Sequence, residues 1–234
     1  MKLYLHNQTR DRDLDVYLNK LHIDTVTYKS LNQIGKKVLL VGGGYSLLKP
    51  LFINQTVIHF TNIDLDPPNY DSLPRLINIK GDFTENKEYM DEFDEIWALY
   101  SLPLYSPDKY SIYMFILKSI LAIKNAGIVR FFPLEFDSSS KLHTKDADYD
   151  MTTMECTNNV LEVIEYIKTI GIKCTQEIVE TKDKTRLEAV VTLSLDSSIA
   201  NKQEINNILI KKINQYATTN KSKMGITIIH QDVQ

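Results

Sequence analysis

Five short apolar runs, at 38–41, 57–63, 76–79, 95–99 and 128–132, punctuate the first part of the chain, each bounded by turn-type or polar residues. Runs so short and so continuously apolar suit strands buried on both faces, as a parallel sheet requires. Candidate helices lie between them, and strand alternating with helix favours a sheet wound with helices on both sides. The pattern then breaks. Residues 172–179 and 186–195 are strand-like runs separated only by the polar T-K-D-K-T, too short for a parallel crossover, so they should pair antiparallel. In the second, Leu187, Ala189, Val191, Leu193 and Leu195 alternate with polar or smaller neighbours. The expected fold is α/β: a doubly wound seven-strand sheet that ends in a C-terminal antiparallel β-hairpin.

Helical periodicity fills in the rest. Leu14, Tyr17, Leu18 and Leu21 follow an acidic start at Asp11 and Asp13 and predict an N-terminal helix. A helix over about 107–124 is expected with Ser106 as its cap and Pro107 at its first position. Another over about 153–170 has capping-box spacing at Thr152 and Glu155, a stripe of Val160, Leu161, Ile164 and Ile167, and Gly171 at its end. Beyond the hairpin, Ile205, Ile208, Leu209, Ile213 and Tyr216 recur at helical spacing, and M-G-I-T-I-I-H has strand character. The organisation expected is an N-terminal helical cap (1–35), a Rossmann-like domain (36–195) and a helix-strand extension (196–234), docked on the same domain or at a subunit contact.

At 234 residues, 43% hydrophobic and 24% charged, the chain has the composition of a soluble globular domain with a sizeable core. A net charge of -3 argues against nonspecific binding to nucleic acid or an anionic membrane. Cys156 and Cys174 are the only cysteines, and no Cys/His spacing suits a metal. Polar residues interrupt the N-terminus too early for a signal peptide, and no run approaches a membrane span. A cytoplasmic protein with free thiols is expected.

The main functional clue is V-L-L-V-G-G-G at 38–44, with Asp64 following 20 residues after Gly44 at the end of the next apolar run. Glycines that break a buried strand let the backbone approach a ligand closely, and a carboxylate on the next strand can accept both hydroxyls of a ribose. A nucleoside-containing cofactor follows. Nicotinamide fits poorly, because Leu47 stands where the third glycine of G-x-G-x-x-G belongs. A nucleoside triphosphate fits worse, because no Lys-Ser or Lys-Thr follows the glycines.

From about Lys36 to Leu195 the chain resembles the class I S-adenosylmethionine-dependent methyltransferases. V-L-L-V-G-G-G resembles the family's first strand and glycine turn, N-I-D-L-D-P its second strand end, N-I-K-G-D-F its third-strand motif, F-D-E-I-W-A-L-Y-S-L-P-L its fourth strand and active-site turn, and I-K-N-A-G-I-V-R-F-F-P its fifth strand. The resemblance implies S-adenosyl-L-methionine as cofactor, held by Gly42, Gly43, Gly44, Tyr45, Asp64, Leu65, Asp82, Phe83 and Leu99, with Asp64 on the ribose and Asp82 on the adenine amino group. It departs from the family at Leu40, where an acid commonly helps hold the amino acid part of the cofactor. An apolar strand end before G-G-G is more frequent in the spermidine and nicotianamine synthases, aminoalkyl-transferring relatives of the same fold, although the G-D-G continuation is absent here.

Tyr100, Ser101 and Tyr105, around S-L-P-L-Y, are candidate substrate residues, together with Glu135 at the end of the fifth run. Tyr28 is a candidate lid residue over the acceptor. His143 lies in a polar stretch after the fifth run and reads as a solvated loop residue. The expected function is methyl transfer to a small-molecule acceptor, with aminoalkyl transfer or a non-catalytic binding module as alternatives. No catalytic base and no oligomeric state can be assigned from the sequence.

Overall fold

The structure, a computed structural model, describes residues 14–43, 55–65, 67, 73–85, 89–104, 106, 108–136, 153–180, 187–195 and 201–224. Strands β1 (Lys37–Val41), β2 (His59–Asp64), β3 (Leu76–Lys80), β4 (Phe93–Leu99), β5 (Ile123–Glu135), β6 (Ile172–Glu180) and β7 (Leu187–Leu195) form one 7-stranded sheet in the order β3-β2-β1-β4-β5-β7-β6. The first five run parallel, and β7 pairs antiparallel with both β5 and β6. The doubly wound sheet and its terminal hairpin are as the apolar runs imply. A parallel sheet covered on both sides needs continuous apolar strands, and these strands alternate between two cores. Leu39, Val41, Ile96, Ala98, Val129 and Phe131 face one core; Val38, Leu40, Trp97, Leu99 and Phe132 face the other.

The first core is closed by α3 (Lys109–Ala122), α4 (Thr153–Lys168) and α5 (Lys202–Met224). Ile205, Leu209 and Ile213 of α5 are fully buried in it. Lys202 fixes the start of α5 by donating to the carbonyl oxygens of Leu121 and Ile123, at 3.0 and 2.6 Å, and by pairing with Asp91. A cation at the end of α3 satisfies carbonyls that a helix C-terminus leaves open. The second core is closed by α1 (Leu14–Lys20) and α2 (Thr25–Leu31), which pack Leu14, Tyr17 and Leu31 onto the sheet. The N-terminal helix of the sequence reading is thus followed by a second short one. His22, at φ 50, turns the chain between them, and Asp24 caps α2 by accepting from the Thr27 amide at 2.7 Å.

Three local expectations are revised. The cap of α3 is Asp108, not Ser106: its carboxylate accepts from the Ser111 amide at 2.8 Å and the Ser111 hydroxyl at 2.9 Å. An anion at a helix N-terminus outcompetes a neutral hydroxyl for those donors, and the Ser106 amide closes a turn onto the Pro103 carbonyl instead. Strand β5 begins at Ile123, directly after α3, because Ile123 already pairs with Phe93 ahead of a register shift. Alternation along β7 is incomplete, since Glu188 and Val190 are buried as well as Ala189, Val191 and Leu193. Thr152, Pro107 and the strand-like segment after Met224 lie outside the described residues.

One buried polar knot crosses the second core. Trp97 stacks on Tyr17, with ring centroids 6.1 Å apart, and lies against Phe60; its indole N–H donates to Glu95 Oε2 at 2.7 Å. Arg130 Nε pairs with the same oxygen at 3.1 Å, both side chains being almost wholly buried. Removing one partner of a buried ion pair strands the other charge. Glu95→Ala should therefore destabilise the protein by about 3–5 kcal/mol, read by urea denaturation; a loss below ~1 kcal/mol would contradict the pairing.

Candidate functional site

At the carboxyl edge of the sheet, β1 and β4 touch through a missing side chain. Gly42 has φ 67, and a Cβ there would lie 2.5 Å from the Ser101 Cβ. Ser101 donates from Oγ to the Val41 carbonyl at 2.5 Å, which locks the strand ends together. Gly42 is therefore required by backbone sign and by space, whatever it touches besides. Its amide continues the sheet by donating to the Ile63 carbonyl at 2.8 Å. Tyr100, one residue before Ser101, is itself left-handed at φ 52, donates its amide to the Phe132 carbonyl at 2.7 Å and sets its ring edge-on to Phe132. For a non-glycine residue that backbone conformation costs about 1–3 kcal/mol, and such strain concentrates at functional turns.

The next glycine is held by a residue that the sequence reading missed. Asn62, fully buried on β2, accepts the Gly43 N–H on Oδ1 at 3.1 Å and donates from Nδ2 to Asn78 Oδ1 at 3.1 Å. From the other side the Tyr17 hydroxyl of α1 lies 3.5 Å from the Gly43 carbonyl. Leu40 pairs in register with both Asn62 and Trp97, at 0% exposure in the second core. The acid commonly found at that position is thus absent, and the buried polar group behind the turn comes from the adjacent strand. An asparagine inside an apolar run was the available signal.

Asp64 ends β2, pairs in register with Lys80 and accepts the Gly81 amide on its carbonyl at 2.9 Å. Gly81, at φ 157, leads directly into Asp82. Asp82 Oδ1 accepts from the amide and the hydroxyl of Thr84, each at 2.8 Å, while Oδ2 is buried without a hydrogen-bond partner. The Asp82 carboxylate therefore closes its own turn with one oxygen and leaves the other open. Leu65 is half-buried beside Asp64. Phe83 and Leu99 are buried, Phe83 edge-on to Phe115 in the first core and Leu99 in the second.

Glu135 ends β5, with its amide on the Thr157 hydroxyl at 3.1 Å. Gly42, Gly43, Asp64, Asp82, Tyr100, Ser101 and Glu135 thus stand at one edge of one sheet, where open α/β sheets place their ligands. Gly44, Tyr45, Tyr105 and the stretch containing His143 lie outside the described residues. Tyr28 is not at this edge: its hydroxyl donates to the Gln55 carbonyl at 3.2 Å, ahead of the amino end of β2, because α2 leads straight into β1. The cap element that reaches the carboxyl edge is α1, through Tyr17 and Lys20.

Both thiols are turned away from chemistry. Burial pushes Cys156 up to about 12, helped by the charges of Glu155 and Glu135, and pushes Cys174 up to about 11. Among the described residues no cluster of three or more His, Cys, Asp or Glu could hold a metal, and no helix is long and apolar enough to cross a membrane.

No protein-family model and no curated protein sequence matches this chain. Solved structures do. The Burkholderia thailandensis 1,6-didemethyltoxoflavin-N1-methyltransferase, solved with 1,6-didemethyltoxoflavin and S-adenosylhomocysteine, is similar at a TM-score of 0.51 and 14% identity, over 73% of this chain and 76% of that one. A SAM-dependent methyltransferase from Methanosarcina mazei is similar at 0.50 and 11%, over 74% and 98%. The [4+2]-cyclase SpnF is similar at 0.51 and 13%, over 85% and 88%. The fold is that of the class I S-adenosylmethionine-dependent methyltransferases. At these identities the likeness fixes the fold, and the chemistry has to come from the residues.

Two measurements check this geometry. Asn62→Leu removes the acceptor behind a buried amide, so it should cost on the order of 1–3 kcal/mol of stability; an unchanged denaturation midpoint would show that Gly43 is held otherwise. The folded protein should react with iodoacetamide at pH 8 far more slowly than its urea-unfolded form, because raised thiol pKa values leave little thiolate. Equal rates would refute the burial of Cys156.

Proposed function

We propose that the chain is an S-adenosylmethionine-dependent methyltransferase that acts on a small-molecule acceptor. The observation that carries this reading is the buried, unpartnered Oδ2 of Asp82, next to the Asp64 strand end and two strands from the glycine turn. A buried acceptor left open costs about 1–3 kcal/mol until a donor arrives. The exocyclic amine of an adenine is such a donor, and the resemblance of N-I-K-G-D-F to the third-strand motif assigns Asp82 that partner. Asp64 then accepts from the ribose hydroxyls, and the turn at Gly42 and Gly43 lets the backbone pass close to the cofactor.

When bound, the sulfonium supplies an electrophilic methyl group with a neutral leaving group, so the protein's share of the work is positioning and proton removal. The residues suit that share. Tyr17, Asn62 and Ser101 fix the turn from three directions. Helix α1 packs on the sheet next to it through Leu14 and Tyr17. Tyr100 and Glu135, on β4 and β5 at the same edge, bound the place for the acceptor.

Calorimetry with purified protein tests the cofactor. S-adenosylhomocysteine should bind in preference to NAD or ATP, and Asp64→Ala should weaken it by on the order of 1–3 kcal/mol. Unchanged affinity in a folded variant would sink the assignment. Product analysis tests the chemistry: methyl transfer leaves S-adenosylhomocysteine, whereas aminoalkyl transfer leaves methylthioadenosine. Methylthioadenosine above the enzyme-free control would replace methyl transfer by the aminoalkyl alternative.

A further inference from the structure

Glu135 and Glu188 are direct partners across the antiparallel β5–β7 ladder. Opposed positions of such a pair share a face, and like charges placed there repel. Both residues are almost entirely buried, at 5% and 4% exposure. Lys20 of α1 compensates one of them: its ammonium lies 3.3 Å from Glu188 Oε2 and 4.7 Å above the Phe132 ring. Among the described residues no hydrogen bond or ion pair reaches the Glu135 carboxylate; only its backbone amide is engaged, on Thr157.

A buried group without a partner lies nearby. Ser106, fully buried in the turn after β4, has an Oγ with no partner. Its carbonyl accepts from Cys156 Sγ at 3.9 Å, and Cys156 precedes the Thr157 that holds the Glu135 amide. Ser106 and Glu135 therefore border the same first turn of α4. The positive end of that helix favours a carboxylate nearby, but a helix terminus offsets only a fraction of what it costs to bury an unpaired charge. The missing complement is a cation. Phe132 already carries an ammonium over its ring, and Tyr100 packs edge-on against it, so the neighbouring wall is of the kind that tolerates positive charge.

We infer that the acceptor is a small molecule bearing a protonated or protonatable nitrogen, with Glu135 as its counter-ion and the Ser106 hydroxyl as a second acceptor. This rests on the methyltransferase reading, which places the acceptor between β4 and β5. It assigns the class of substrate: an amine, in preference to a carboxylate or a phenol.

Thermal shift on the full chain saturated with S-adenosylhomocysteine tests the inference, with benzylamine and putrescine as cationic probes and benzoate and succinate as anionic counterparts. An amine should raise the melting temperature and the carboxylates should not. Glu135→Gln should weaken the amine at least tenfold while leaving the S-adenosylhomocysteine shift unchanged, and Ser106→Ala, which preserves all charges, should weaken it less. Stabilisation by the carboxylates, no response to either amine, or wild-type amine affinity in Glu135→Gln would each overturn the inference. If Glu135→Gln does not fold, the wild-type preference and Ser106→Ala decide. Failure of the wild type to bind S-adenosylhomocysteine would overturn the cofactor reading beneath it, an outcome distinct from cofactor binding without amine selectivity.

Discussion

The contact on which the candidate site depends is the one between Gly42 and Ser101. Strands β1 and β4 are neighbours in a parallel sheet, and their side chains normally keep the chain ends apart beyond the last ladder bond. Here nothing projects from position 42, so Ser101 moves in and bonds the Val41 carbonyl. That close approach sets where β1 turns, which in turn sets the distance from the glycine backbone to Asp64 and Asp82 on the strands beyond. The left-handed residue at Tyr100 is the counterpart on β4, and the strain it holds is offset by the Ser101 and Phe132 bonds on either side.

Much of this was legible in the residues. Continuous apolar runs mean burial on both faces, and the two cores on either side of the sheet are the physical form of that rule. The short polar turn before Leu187 permits only an antiparallel return, and β6 and β7 pair so. What was not legible depends on neighbours that are distant in sequence. Asn62 reads as one polar residue in an apolar strand; only the fold sets it against Gly43. Ser106 and Asp108 are both acceptable caps by propensity, and the choice falls to the charge-assisted bonds to Ser111. Tyr28 lies away from the acceptor edge because the short α2 that carries it, which has no clear periodic signal, leads into the amino end of β1.

The two edges of the sheet differ in how their charges are settled. At the amino edge Asp94 takes Lys36, Lys124 and the Lys37 amide, and these bonds outweigh burial to hold its carboxyl below the usual range. At the carboxyl edge one Asp82 oxygen and the Ser106 hydroxyl are buried without a hydrogen-bond partner. Buried polar atoms are normally paired, so each one left open calls for an explanation.

Trp97 is the only tryptophan in the chain. It sits at the interface of sheet and cap, stacked on Tyr17 of α1 with its indole nitrogen bonded to Glu95. Tyr17 is also the residue whose hydroxyl faces the glycine turn. The chain therefore carries a built-in optical gauge of its own cap: lifting α1 would unstack the ring and wet it, shifting its emission to the red. Ligand-driven movement of the cap can be followed in the unmodified protein, with no label and no engineered residue.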